Sequence, residues 1–143
     1  MSVKDLGDRV VLRHTVRFGD CDPALIAYTG TIVDYALIAI EEFWKVALDG
    51  IGWFELNLDH NIGTAFVNLS YDFTSPITPR APLEIMVRVH KKGKTSITFQ
   101  VCAAQSGQAA FTAQLTCVFI ERSTLRKITP PMWIEHALAR FLP

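Results

Sequence analysis

Two aspartates one residue apart, Asp20 and Asp22, lie in the run Gly19-Asp20-Cys21-Asp22-Pro23. A carboxylate can attack a carbonyl carbon as a nucleophile or draw a proton from water as a general base. Side chains one residue apart in extended chain point to different sides, so the pair does not read as a shared-proton dyad. One aspartate can cap the turn while the other enters a cleft. The alternative is that both are turn formers, as Asp before Pro commonly is. Cys21 lies between the two carboxylates, which disfavour its thiolate and make it a poor nucleophile. Shortly after this turn, Tyr28–Ile32 opens a stretch with helical spacing. The first N–H groups of a helix have no intrahelical acceptor and sit at the positive end of its dipole, where a carbonyl would be polarised. Every helix has such an end; this one gains interest from its closeness to Asp22.

Cations form a second group. Lys91, Lys92 and Lys94 flank Gly93, and Arg122, Arg126 and Lys127 follow the last strand pattern. They can hold phosphates, or simply guard a solvated hairpin. His14, His60, His90 and His136 are scattered, and none has metal-ligand spacing with another, so no metal site is expected. His14 falls on the apolar side of a strand pattern and reads as a satisfied core histidine. No Gly-x-Ser-x-Gly, phosphate-binding loop or dinucleotide fingerprint is present.

The elements that must position these groups follow from periodicity. Val10–Phe18 alternates with period two and ends in the acidic turn. Thr29–Leu48 has helical spacing, with Ile32, Tyr35, Ala36, Ala39, Ile40, Phe43, Val46 and Ala47 on one stripe. Val33, Leu37 and Ile38 make its other side apolar too, so burial on several sides is expected. Four more strands are expected at Ala65–Phe73, Leu83–Val89, Thr95–Ala103 and Phe111–Phe119, forming a meander with odd-numbered positions on the apolar face. Lys92-Gly93 and Ser106-Gly107 read as hairpin turns, so these strands should be antiparallel. Pro130-Pro131 opens a short helix with Trp133, Ile134, Ala137, Leu138 and Phe141 on its apolar stripe. The class is therefore α+β, with the sheet curled around the helix. The other sheet face carries Asn68, Ser70, Ser96, Thr98, Gln100, Thr112, Gln114 and Thr116, polar but uncharged. It suits either solvent or a second subunit.

Composition bounds the rest. The chain of 143 residues is the size of one domain, residues 1–143, and half of it is hydrophobic. Fourteen basic and fourteen acidic residues cancel, which argues against general attraction to nucleic acid or an anionic membrane. An anionic ligand must then be met by a local cluster of cations. Three cysteines without metal or redox spacing, and no signal-like segment, lead to the expectation of a cytoplasmic protein.

These residues form a pattern. The run Phe18-Gly19-Asp20-Cys21-Asp22-Pro23-Ala24, then Tyr28 and a long helix, resembles the 4-hydroxybenzoyl-CoA thioesterase branch of the hotdog-fold acyl-CoA thioesterases. Tyr71-Asp72-Phe73 before a Pro-rich turn, Lys94-Thr95-Ser96-Ile97, and Leu125-Arg126-Lys127-Ile128 agree in position. The resemblance implies a five-stranded antiparallel sheet wrapped around one long central helix, in a homodimer or homotetramer with sites at subunit interfaces. It implies hydrolysis of an acyl-CoA without a cofactor, with Asp22 as catalytic carboxylate and the backbone N–H near Tyr28 polarising the thioester. Gly63 and Thr64 would approach the acyl group from a partner subunit, and Lys92, Lys94, Ser96 and Arg126 would meet the CoA phosphates. The family commonly has Gly two or three residues after the catalytic Asp, where this chain has Ala24-Leu25-Ile26. With Ala36 and Leu37 on the helix, an apolar acyl pocket for an aromatic or medium-chain group is expected. A hotdog dehydratase or hydratase would want a His beside the carboxylate, and none is near in sequence. A non-catalytic acyl-CoA-binding protein is the remaining alternative.

Overall fold

The computed structural model describes residues 1–143. The strands are β1 (Ser2–Asp5), β2 (Val10–His14), β3 (Ile62–Phe73), β4 (Leu83–Lys92), β5 (Ser96–Gln105) and β6 (Gln108–Glu121). The helices are α1 (Thr29–Ala47), α2 (Trp53–His60) and α3 (Met132–Leu138). All six strands join one antiparallel sheet in the order β1-β2-β4-β5-β6-β3. The α+β class and the two hairpins hold. The strand count is six rather than five, and α1, 19 residues long, is joined by two shorter helices.

The four-strand meander is corrected. β4, β5 and β6 are consecutive neighbours, but β3 pairs with β6 at the far edge and β4 pairs with β2. The link from β3 to β4 carries Pro76, Pro79 and Pro82 and is too long for a tight turn, so it crosses from one side of the sheet to the other. β2 is also shorter than expected. Its partner β4 begins at Leu83, opposite His14, just after Pro82, which has no N–H to donate. Thr15–Arg17 therefore has no ladder, and Phe18–Asp20 forms a 3-10 turn that leaves Phe18 92% exposed.

β3 departs from odd-numbered alternation. A bulge between Phe66 and Asn68 leaves Val67 without a partner. Before it, Thr64 and Phe66 oppose Phe119 and Cys117; after it, Leu69 and Tyr71 oppose Leu115 and Ala113. The core-facing set thus switches from even to odd positions, which turns Thr64 inward.

α1 lays Tyr35, Ala36, Ala39, Ile40, Phe43, Trp44 and Ala47 into the core. Phe43 and Trp44 pack edge-on against Phe99 at 5.0 and 5.7 Å between ring centroids. Each such aromatic, fully buried, contributes about 1.5–3 kcal/mol. The helix ends where Asp49 and Gly50 turn left-handed, at φ of 52° and 94°. Val33, Leu37 and Ile38, expected to be buried as a second side of the helix, are only half-buried within one chain. No helix is long and apolar enough to cross a membrane.

Candidate functional site

The acidic turn separates its two aspartates. The Asp20 carboxylate accepts the Arg17 N–H at 3.1 Å and the Tyr35 hydroxyl at 2.9 Å, and its backbone carbonyl accepts the Tyr28 N–H at 2.9 Å. Asp20 therefore caps the turn. Asp22 holds its own loop: Oδ1 accepts the Ala24 N–H at 2.8 Å, and its carbonyl accepts the Leu25 N–H at 2.9 Å. Its Oδ2 accepts no hydrogen bond from the protein. Asp22 lines a cavity of about 710 Å³ with Phe18, Gly19, Cys21, Pro23, Leu25 and Pro79, and is the one charged residue there. Leu25, where the family commonly has Gly, adopts a left-handed φ of 66°.

The Tyr28 donor is corrected. Its N–H is already given to the Asp20 carbonyl, so it has none to offer a ligand. The open donors are the next ones, on Thr29, Gly30 and Thr31. They precede the first helical bond, from Ile32 to Tyr28, and Tyr28 supplies no side-chain cap. The half-exposed Tyr28 ring instead folds over Gly30, where a Cβ would lie 2.9 Å from it.

Gly63 and Thr64 line a different cavity, of about 390 Å³, between α1, α2 and β3. Leu37, Ile40, Trp44, Trp53, Phe66 and Ile120 give it an apolar lining, with Asn57 and Glu41 as polar members. A Cβ on Gly63 would lie 2.9 Å from Ile120 and 3.1 Å from the Asn57 side-chain oxygen, so those side chains would have to shift to admit one. One chain does not bring Asp22 and Gly63 to a common cavity. Trp53 and Asn57 were missed in the sequence because Gly50 and Gly52 mark a stop and α2 buries only Leu56.

Lys92 is corrected as a phosphate ligand. Its Nζ donates to Gly93 O at 2.7 Å and to Glu135 Oε1 at 3.1 Å, lies 5.5 Å from the Phe119 ring, and its side chain is only 9% exposed. It anchors α3 to the hairpin. Lys94 and Arg126 remain exposed, and neither side chain has an ion-pair or hydrogen-bond partner. Phe119 joins their segments, since its N–H donates to Thr95 O and its carbonyl accepts the Ile128 N–H. The Ser96 hydroxyl is turned over Gly93.

His14 is nearer the turn than its sequence position suggests. Its ring lies 5.1 Å from that of Tyr35, and it lines a cavity with Asp20, Arg17 and Asp34, apart from the one Asp22 lines. It is not the satisfied core histidine expected: its Nδ1 is buried without a partner, and burial holds its pKa below the usual value despite the nearby Asp20 charge. Burial pushes the Cys117 thiol up to about 12, so it stays protonated.

The comparisons with known proteins bear on this arrangement. A thioesterase superfamily protein from Jannaschia sp. CCS1 is 38% identical, with 100% of this chain and 98% of that one covered at a TM-score of 0.89. The 1,4-dihydroxy-2-naphthoyl-CoA thioesterase from Synechocystis is 18% identical, with 91% and 95% covered at 0.80. The 4-hydroxybenzoyl-CoA thioesterase from Pseudomonas sp. strain CBS-3 is 19% identical, with 91% and 99% covered at 0.81. The last two similarities show a shared fold. No curated protein matches the sequence. The family model described as the thioesterase-like superfamily matches residues 16–138, from the end of β2 through α3, and to that superfamily the chain belongs.

Proposed function

We propose that the protein is an acyl-CoA thioesterase that hydrolyses an aromatic or medium-chain acyl-CoA to the free acid and CoA. The observation that carries this reading is Asp22, which keeps one carboxylate oxygen unpaired and lines an apolar cavity, in a turn that the backbone bond from Tyr28 to Asp20 ties to a helix start with open N–H groups. As nucleophile, Asp22 attacks the thioester carbon, the C–S bond breaks, and water cleaves the resulting anhydride. As general base, it takes the proton of the water that attacks the same carbon, the C–S bond breaks, and CoA leaves as its thiolate, which takes up a proton. Either route develops an oxyanion that the Thr29 and Gly30 N–H groups suit.

The acyl group is assigned to the cavity lined by Gly63, Thr64 and Leu37. An apolar cavity of about 150 Å³ accommodates benzene, so this larger space suits one or two rings or a medium chain. Two of the similar structures are named for aromatic acyl-CoA substrates, in keeping with this class. Lys94 and Arg126, with Ser96 beside them, are assigned to the CoA phosphates, without Lys92. A second copy is required by the assignment, because Asp22 and Gly63 line separate cavities within one chain. β3 is the edge strand that suits it, with Phe66, Val67, Leu69 and Phe73 exposed. The homodimer is thus the smallest active unit, and a homotetramer is open to it. A cytoplasmic location belongs to the proposal and fits the three free cysteines.

The test is a thiol-release assay on a panel of aromatic and aliphatic acyl-CoAs. Asp22→Asn should lose at least about a hundredfold in kcat with its unfolding transition unchanged. Equal activity in Asp22→Asn and wild type ends the mechanism. Tight acyl-CoA binding without thiol release would leave a binding protein instead.

A further inference from the structure

Asp20 has no part in the proposed reaction, yet it joins three segments. Its carboxylate takes a hydrogen bond from Arg17 in the unpaired segment after β2 and from Tyr35 in the second turn of α1, and its carbonyl takes one from Tyr28 at the helix start. We infer that Tyr35, acting through Asp20, is a positioning residue that fixes the Asp22 carboxylate against the N-terminus of α1. The catalytic consequence rests on the thioesterase reading; the geometry does not.

The reaction needs two parts carried by different elements. The carboxylate moves with the loop, whereas the Thr29 and Gly30 N–H groups move with α1. Tyr35 is the one α1 side chain that hydrogen-bonds this loop. It is 1% exposed, so the core fixes where its hydroxyl sits. Burial, reinforced by the Asp20 carboxylate, pushes the Tyr35 phenol well above its usual range, so it remains a donor at any physiological pH.

The loop also needs holding. Leu25, three residues beyond Asp22, sits at a left-handed φ of 66°. Such strain persists only where surrounding contacts over-determine the backbone. The backbone bonds from Leu25 to Asp22 and from Asp22 to Ile26 close that turn, and the bonds gathered on Asp20 tie it to α1 just upstream. Neither Tyr35 nor Asp20 lines the Asp22 cavity, so neither is placed to touch substrate there.

Tyr35→Phe keeps the ring and removes the bond. With benzoyl-CoA and octanoyl-CoA as substrates, kcat should fall about tenfold to a hundredfold, the scale of a small misplacement of reacting groups, with KM within about twofold. Asp20→Ala, which also gives up the Arg17 bond, should fall at least as far, and the double variant should lose no more than Asp20→Ala alone, because the Tyr35 bond is already gone. Asp20→Asn, whose amide oxygen can still accept, should retain most of kcat. Amide hydrogen exchange over Cys21–Gly30 should quicken in Tyr35→Phe. Unchanged kcat in folded Tyr35→Phe, or fully additive losses in the double variant, overturns the inference. If the wild type hydrolyses no acyl-CoA, the thioesterase reading fails and exchange alone decides: faster exchange upholds the positioning bond, and unchanged exchange removes it.

Discussion

Leu25→Gly should stabilise the protein while weakening its hold on substrate. Leu25 adopts a φ of 66° and is 74% exposed. A non-glycine residue pays about 1–2 kcal/mol to hold the left-handed region. Glycine removes that strain but adds about 0.4–1 kcal/mol of unfolded-state entropy. So exposed a side chain gives up little buried area. The difference is a gain of roughly 0.5–1 kcal/mol, or about 1–4 °C in Tm for a chain of this size. Leu25→Ala keeps the strained backbone and should give no gain. Thermal and urea unfolding at one fixed protein concentration measure both variants, since self-association would otherwise shift the midpoint. The hydrogen bonds from Ala24 and Leu25 to Asp22 survive either change, because both donors are backbone groups. Leu25 also lines the Asp22 cavity, so KM should rise in both variants. Loss of stability in Leu25→Gly, or an equal gain in Leu25→Ala, would refute the strain argument.

Lys92→Ala should cost about 1.5–3 kcal/mol of stability, the worth of a hydrogen bond to a charged group, because it unties α3 from the hairpin; KM for acyl-CoA should stay near wild type, whereas Arg126→Ala should raise it with little change in unfolding. Val67→Lys, at the 59%-exposed bulge of β3, should shift sedimentation toward the monomer and remove thiol release together; activity in a proven monomer would defeat the shared site. His14 titrates below its ordinary 6.5 when folded, so the unfolded chain binds more protons between the two values. Stability should therefore rise with pH through that window and level off above about 6.5, and unfolding curves of His14→Gln across pH 5 to 7 should show a shallower slope.

What the sequence reveals is set by the range of the interaction. α1 and the strands repeat their pattern over many residues, so their existence shows in spacing alone. α2 has one buried residue, Leu56, and β1 has only Val3 as an apolar member, so neither offers a period to detect. The end of β2 depends on Pro82, just before the distant strand β4, and the bulge at Val67 depends on register against β6. The site divides in the same way. That two aspartates one residue apart would take different roles follows from chain geometry. Which one is tied down depends on Tyr35, on a different element, and that pairing is visible only once α1 is placed. Lys92 shows its charge in the sequence but not Glu135, which reaches it from a separate helix.

The same logic explains why exposed apolar groups gather around the proposed chemistry. Phe18 and Leu25 flank Asp22, while Phe66 and Trp53 flank the cavity of Gly63. A carboxylate open to water is blunted by its own hydration, and fixed dipoles act most strongly where water is excluded. One chain supplies the charge, the donors and the apolar walls but leaves both cavities open. Joining two β3 edges would satisfy an unpaired strand and cover apolar surface. On the proposed assignment of the acyl group and the carboxylate to two chains, reactivity is then a property of the assembled pair.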